Sequence, residues 1–341
     1  MTLVISMGLM RTQTTLVGLL MVSSLSLAAA TATAADTPPG SSGVRVTQLD
    51  DRLKIEINGR PFSEYHFKGG SRPFLYPILG PDGLALTRNW PMKEVEAEER
   101  DHPHHRSFWY GHGEVNGHDF WSEGDKAGKT VHEAFTEIQS GPDTGVIKSK
   151  NQLVAKDGTI VATDDRTLRF YSRTDARLFD FEITIHASHG DLTFGDTKEG
   201  TMALRLAETM RLKPNKDNIG KPTGHIVNSE GQRDGNTWGK RAKWVDYSGP
   251  VEGKIVGVAI FDHPQNPRHP TWWHVRDYGL FAANPFGLHD FENQPAGTGD
   301  LKLKSGESLT FRYRFYLHPS DEKEAQVAER YQEYANPKAT K

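Results

Sequence analysis

From residue 44 onward, apolar positions recur at every second residue. The stretch "VRVTQLDDRLKIEINGRPFSEYHF" (44–67) alternates apolar and polar side chains and breaks at Asn58-Gly59. A period of two puts successive side chains on opposite faces of a strand, and Asn-Gly suits the two left-handed positions of a tight hairpin. The device recurs in "NQLVAKDGTIVATDDRTLRFY" (151–171), which turns at Asp157-Gly158. "LFDFEITIHA" (178–187) and "LKLKSGESLTFRYRFYLH" (301–318) continue the alternation, and "KIVGVAIF" (254–261) is an apolar run of strand length. Helical composition is confined to "SDEKEAQVAERYQEYA" (320–335), with Ser320 as N-cap ahead of acidic residues. The pattern predicts an all-β chain: one large β-sandwich domain over 44–336 with a short C-terminal helix.

Charge and composition narrow the function. The 341 residues carry 41 Lys+Arg against 44 Asp+Glu, with no basic run. A nucleic-acid partner is not expected, because phosphate backbones are met by basic patches. Ahead of the strands, Arg11 precedes the apolar run "LVGLLMVSSLSLAAA" (16–30), and Ala32-Thr33-Ala34 follows. Basic, apolar and small-residue regions in that order predict a signal peptide over 1–35, then a flexible linker over 36–43. Export to the periplasm or beyond is expected. No stable membrane insertion should follow, since the run is shorter than the ~20 residues a span needs. The chain has no cysteine, which excludes disulfides, thiol nucleophiles and thiolate-held metals.

The densest chemistry lies in "RDHPHHRSFWYGHGEVNGHDFW" (100–121), with five histidines beside Trp109, Tyr110 and Trp121. In an extended segment His102 and His104 face one side with Arg106, and His105 faces the other. Asp101 is placed to fix the tautomer of an imidazole. An acid/base reading takes His104, His105, His112 and Asp119 as catalytic, Trp109 as a flat wall for a sugar ring and Arg106 as a partner for its hydroxyls. A metal reading takes His102, His104 and His112 as ligands of a divalent ion. The extended H-x-H pair of cupins wants a glutamate close behind it, whereas Glu114 comes ten residues after His104, so no cofactor is favoured. In the third reading the histidines are hydrogen-bonded turn residues without chemistry.

Two further stretches add candidates. "FDHPQNPRHPTWWHVRDYG" (261–279) repeats Asp-His-Pro at Asp262-His263-Pro264, and its prolines mark a loop. It offers His263 as catalytic and His269, Trp273 and His274 as substrate-holding, on the expectation that both histidine stretches meet at one site. "TFGDTKEGTMALRLAETM" (193–210) offers Glu199 as general base, with Lys198 and Arg205 to bind substrate and steady negative charge.

Taken with "LYPILGPDGLALTRNWPM" (75–92) and "DTKEG" (196–200), the two histidine stretches resemble the exported bacterial proteins of the "methane oxygenase PmoA" family, over about residues 60–318. The resemblance implies a β-sandwich similar to the galactose-mutarotase supersandwich and an association with carbohydrate breakdown. It carries no catalytic residues over to this chain. The expectation is an exported carbohydrate-active protein that works by acid/base chemistry on a sugar or glycoside, as an epimerase, lyase or hydrolase. A histidine-ligated metalloprotein, oxidative in its chemistry, and a non-catalytic carbohydrate-binding protein are the alternatives.

Overall fold

Two eight-stranded antiparallel sheets build the molecule. The computed structural model describes residues 42–337, so the expected signal peptide and nearly all of the linker lie outside the described residues. The first sheet runs Val44–Gln48, Arg52–Ile57, Arg60–His66, Phe74–Leu75, Phe108–His112, Gly200–Arg205, Leu280–Asn284, Trp272–Val275. The second runs His225–Asn228, Trp244–Val251, Lys254–Asp262, Ser308–Pro319, Arg177–His186, Ile160–Tyr171, Thr144–Val154, Lys129–Gln139. The predicted hairpin turns are present: Asn58 and Gly59 take φ of 52° and 72°, and Gly158 takes 90°. All described residues belong to one compact unit. No described helix is long and apolar enough to cross a membrane.

The sheets meet through aromatic rings. Phe108 of the first packs edge-on against Phe179, Phe181 and Phe315 of the second at 5.2–5.7 Å, and Phe179 stacks on Phe315 at 4.5 Å. Each buried ring of this kind stabilises the sandwich by about 1.5–3 kcal/mol. Alternation along Phe108–His112 then fixes which side chains face outward. Phe108 and Tyr110 join the inter-sheet core, while Trp109 joins a separate apolar cluster with Phe74, Trp121, Ala203, Leu280 and Ala282 on the outer face.

The C-terminal helix covers only Val327–Ala335, shorter than the predicted span. Ser320 has φ of 64°, outside the extended range an N-cap needs, and its hydroxyl bonds Glu324. Asp321 Oδ1 instead takes the N–H groups of Lys323 and Glu324 at 3.0 Å each, so 321–326 forms turns. The helix lays Val327, Tyr331 and Tyr334 on Trp244, Phe261 and Tyr316 of the second sheet's outer face. On that same sheet His318 Nε2 meets Asp246 Oδ2 at 2.7 Å, both side chains fully buried, and the ring crosses Gly257.

The segment 261–279 is not a single loop. It closes the strand Lys254–Asp262 in the second sheet, crosses over, and re-enters the first sheet as the edge strand Trp272–Val275. Four consecutive buried residues, Trp272–Val275, carry the strand despite the prolines before it.

Candidate active site

The outer face of the first sheet gathers most of the first histidine stretch. The segment before Phe108 is a tight turn rather than an extended run: His102 has φ of 42°, and His105 N–H donates to His102 O at 3.0 Å. Pro103 enters the turn, and the predicted opposition of His104 and His105 is lost. The three rings crowd together instead, with centroids 4.4–5.7 Å apart. A stack rises from the sheet: Trp109, then His105 at 5.1 Å, His102 at 4.6 Å and Tyr278 at 5.4 Å, all near parallel. Trp121 stands edge-on to His104 and His105.

Two buried arginines organise this stack. Arg88 and Arg205 lie side by side, with Arg88 N–H donating to Arg205 O at 3.0 Å, and both guanidinium groups bind Asp101. Arg205 Nη2 reaches both Asp101 oxygens at 2.9 and 3.1 Å, and its Nη1 donates to His105 Nδ1 at 3.0 Å. An arginine only donates, so His105 must carry its proton on Nε2. Asp101 Oδ2 in turn meets His102 Nδ1 at 2.6 Å. Partial burial pushes the Asp101 carboxyl up, but the His102 bond and the Arg205 and Arg88 charges outweigh it and hold the group well below the ordinary carboxylate range. Asp101 therefore accepts from His102 Nδ1–H, and the Nε2 of this half-exposed imidazole has no hydrogen-bond partner among the described residues. That is the arrangement of an oriented acid/base histidine.

His104 is the second polar group of the turn. Neither ring nitrogen has a hydrogen-bond partner among the described residues. Burial, with the Arg72 charge, lowers its pKa to about 4 and keeps it neutral at pH 7. His105 is likewise held well below its usual value, by burial first and then by its cationic neighbours.

Across the sheet, Ala203 and Ala282 occupy the register between Trp109 and His274 and leave room above the sheet for the loop layer. His274 Nδ1 donates to Lys198 O at 2.6 Å, and burial lowers its pKa to about 4. Lys198 and Glu199 thus reach the same face. Lys198 Nζ lies 3.3 Å from Asp290 and 3.7 Å from Glu199. Trp238 and Phe291 close this side edge-on to His274. The indole N–H groups of Trp109, Trp121 and Trp238 and the hydroxyl of Thr201 are buried without a partner among the described residues.

Other predicted site residues lie elsewhere. His112 points inward, its Nε2 donating to Gly195 O at 2.8 Å with Phe194 and Phe286 around it, and burial lowers its pKa to about 4. It faces away from His102 and His104, so the proposed metal set His102, His104, His112 does not assemble. Among the described residues no group of three or more His, Asp or Glu is placed to hold a metal ion. Trp273 also faces the inter-sheet core and donates to Ala242 O at 2.9 Å, so it cannot hold a substrate. Asp119 accepts the N–H groups of Trp121 and Ser122 at 2.7 and 2.9 Å, which shapes the turn presenting Trp121. Arg106 is clamped bidentately on Glu123 at 2.7 and 2.9 Å.

The two histidine stretches meet through Tyr278, which stacks on His102, and His274 reaches the same sheet face. His263 lies against Tyr334 of the C-terminal helix, 5.1 Å between rings, in a cavity of about 390 Å³ on the second sheet. His269 Nδ1 bonds the buried Asp262 at 2.7 Å, a loop-closing contact. Both belong to the second sheet's end of the crossing segment. Sequence reasoning missed Arg88, Tyr278 and Trp238, and it treated Asp101 only as an orienting neighbour. Asp101 stood beside His102 in the sequence, whereas Arg88 joins the site only through strand pairing.

Fold and site together define an all-β sandwich with a histidine- and arginine-organised outer face. Over residues 52–332 the chain matches the model of DUF6807, a family of unknown function, and belongs to that family. This corrects the expected membership of a methane oxygenase PmoA family. No curated protein matches the chain. Among solved structures it is similar to the galactosidase domain of the alpha-galactosidase-sucrose kinase AgaSK (7% identity, TM-score 0.38, 81% of this chain and 40% of that one). It is also similar to the alpha-galactosidase from Lactobacillus brevis (10%, 0.36, 82% and 39%). A third likeness is to galactose 1-epimerase from Lactobacillus acidophilus NCFM (7%, 0.39, 82% and 100%). The matched region thus spans about 40% of the two galactosidase chains and the whole of the epimerase.

Proposed function

We propose that this protein binds a carbohydrate on the outer face of its first sheet and transfers a proton to or from it. The observation that carries the reading is the Asp101–His102 pair, set at the edge of an aromatic stack with the His102 Nε2 unpartnered among the described residues. His102 is the acid/base group, Asp101 orients it, and the neutral His104 binds an adjacent hydroxyl. Tyr278 and Trp238 are the ring walls. Epimerisation, elimination and glycoside hydrolysis all need a proton moved at a fixed point of a polyhydroxyl substrate. We further propose that the chain acts after export. N-terminal sequencing of protein recovered outside the cytoplasm should begin near Ala35 or Asp36, and a start at Met1 or Met10 contradicts export.

The test is a panel of monosaccharides and oligosaccharides, with binding followed by calorimetry and turnover by NMR. His102→Ala should keep the fold, because the ring is half exposed, and should lower turnover by about 10²–10⁴ with little change in Kd. Unchanged turnover in His102→Ala would remove the catalytic role. Binding without turnover across the panel would make this a carbohydrate-binding protein. No binding at all overturns the reading.

A further inference from the structure

We infer that the sugar taken at this face is an acidic one, and that Arg276 receives its carboxylate; the inference rests on the sugar-site reading above. Arg276 opens the tight turn between Trp272–Val275 and Leu280–Asn284. The turn is closed by Arg276 N–H to Leu280 O at 2.7 Å and Gly279 N–H to Arg276 O at 3.1 Å. Its guanidinium lies over two rings at once, 5.7 Å from the centre of Trp238 and 5.5 Å from Tyr278. Tyr278 is the outer ring of the stack that continues into His102. Aromatic faces, and no anion, therefore set the orientation of this cation.

The other arginines around the histidine turn are occupied. Arg88 and Arg205 share Asp101, and Arg106 holds Glu123. Arg72 donates to the carbonyls of Trp121 and Ser122 at 2.7 and 2.6 Å. The Arg276 side chain has neither a carboxylate nor a carbonyl partner among the described residues. The acidic groups of the face already have cationic partners: Asp101 its two arginines, and Asp290 the ammonium of Lys198, which Glu199 shares at the longer distance of 3.7 Å. Arg276 is the guanidinium beside the ring walls that has no paired anion among the described residues. Its planar fork matches a carboxylate bidentately, and a neutral sugar leaves it unpaired.

Calorimetric titration of the full chain compares glucuronate and galacturonate, as mono- and tetrasaccharides, with glucose and galactose of the same length. Glucose 6-sulfate separates a carboxylate site from a general anion site. One charge-assisted pair corresponds to roughly 10- to 100-fold in affinity, so the uronates should bind tighter than their neutral counterparts by that factor. The ratio should collapse toward one in Arg276→Gln. Arg276→Lys, which keeps the charge and the fold but loses the fork, should retain only part of it. Equal affinity for uronate and neutral sugar in the native protein overturns the inference and leaves the sugar site standing. A ratio unmoved in both variants, or sulfate bound in preference to carboxylate, overturns it as well. Binding of neither class removes both readings.

Discussion

Asp101 is one carboxylate serving three cationic or polarisable partners. Replacing it by asparagine leaves Arg88 and Arg205 buried without a counter-charge, which should cost about 3–5 kcal/mol in urea unfolding at pH 7. The pH dependence has a definite sign. The folded carboxyl titrates below its unfolded value of about 3.9, so its stabilisation is complete above that pH and is lost as pH falls toward the folded value. Asp101→Asn should therefore lose less stability than the native protein as pH falls below about 4. An equally steep loss in both would show that other carboxylates dominate acid unfolding. At this scale the Asp-His adjacency was legible in the sequence, whereas Trp109, expected as a wall, is buried beneath His105. The misplacement of His112 and Trp273 has a physical cause. Phe108–His112 and Trp272–Val275 are buried on both faces, so apolar alternation does not say which side is the core.

At the scale of elements, period-two patterning recovered the strands and the Asn-Gly and Asp-Gly hairpins, because those signals are local. It failed at 102–106, where Pro103 turns the chain, and at 272–275, where an edge strand follows three prolines. Pairing partners distant in sequence also left no mark. The contact between Asp246 and His318 joins two strands across a third, and Gly257 is the gap that lets it pass. A Cβ there would stand 2.2 Å from His318 Cε1. Gly257→Ala should cost at least about 1–3 kcal/mol through overpacking and lower Tm accordingly. Gly235→Ala, with nothing within 4 Å of the added carbon, is the control and should leave Tm nearly unchanged. Equal behaviour of the two variants would contradict the tight crossing.

For the molecule as a whole, buried imidazoles set the pH range of stability. His104, His112 and His274 each titrate near 4 because burial disfavours their charged form. Their unfolded value is about 6.5, so below that pH the unfolded chain takes up protons that the folded chain refuses. Stability should fall as pH drops from about 6.5 to 4. His318 acts in the opposite sense: burial lowers its pKa, but Asp246 outweighs this and raises it, so its contribution is full below about 6.5 and fades as pH rises. His66, His105, His132 and His263 are lowered as well, so seven against one predicts net acid lability, read as a urea midpoint lower at pH 5 than at pH 7. A flat profile would mean that these rings are protonated in the folded protein.

The two walls of the site are anchored differently. Asp101 and His102 are fixed to the middle of a sheet by two arginines with no exposed surface. Arg276 and Tyr278 hang from the last strand of that sheet, whose continuous pairing is with one neighbour only. The segment before it is stapled through Arg268 to the carbonyls of Pro285, Gly299 and Asp300. An outermost strand can shift at less cost than an interior one, because fewer bonds break. On the proposed reading, the proton-transfer group is therefore held from the interior of the sheet and the carboxylate-binding group from its outermost strand.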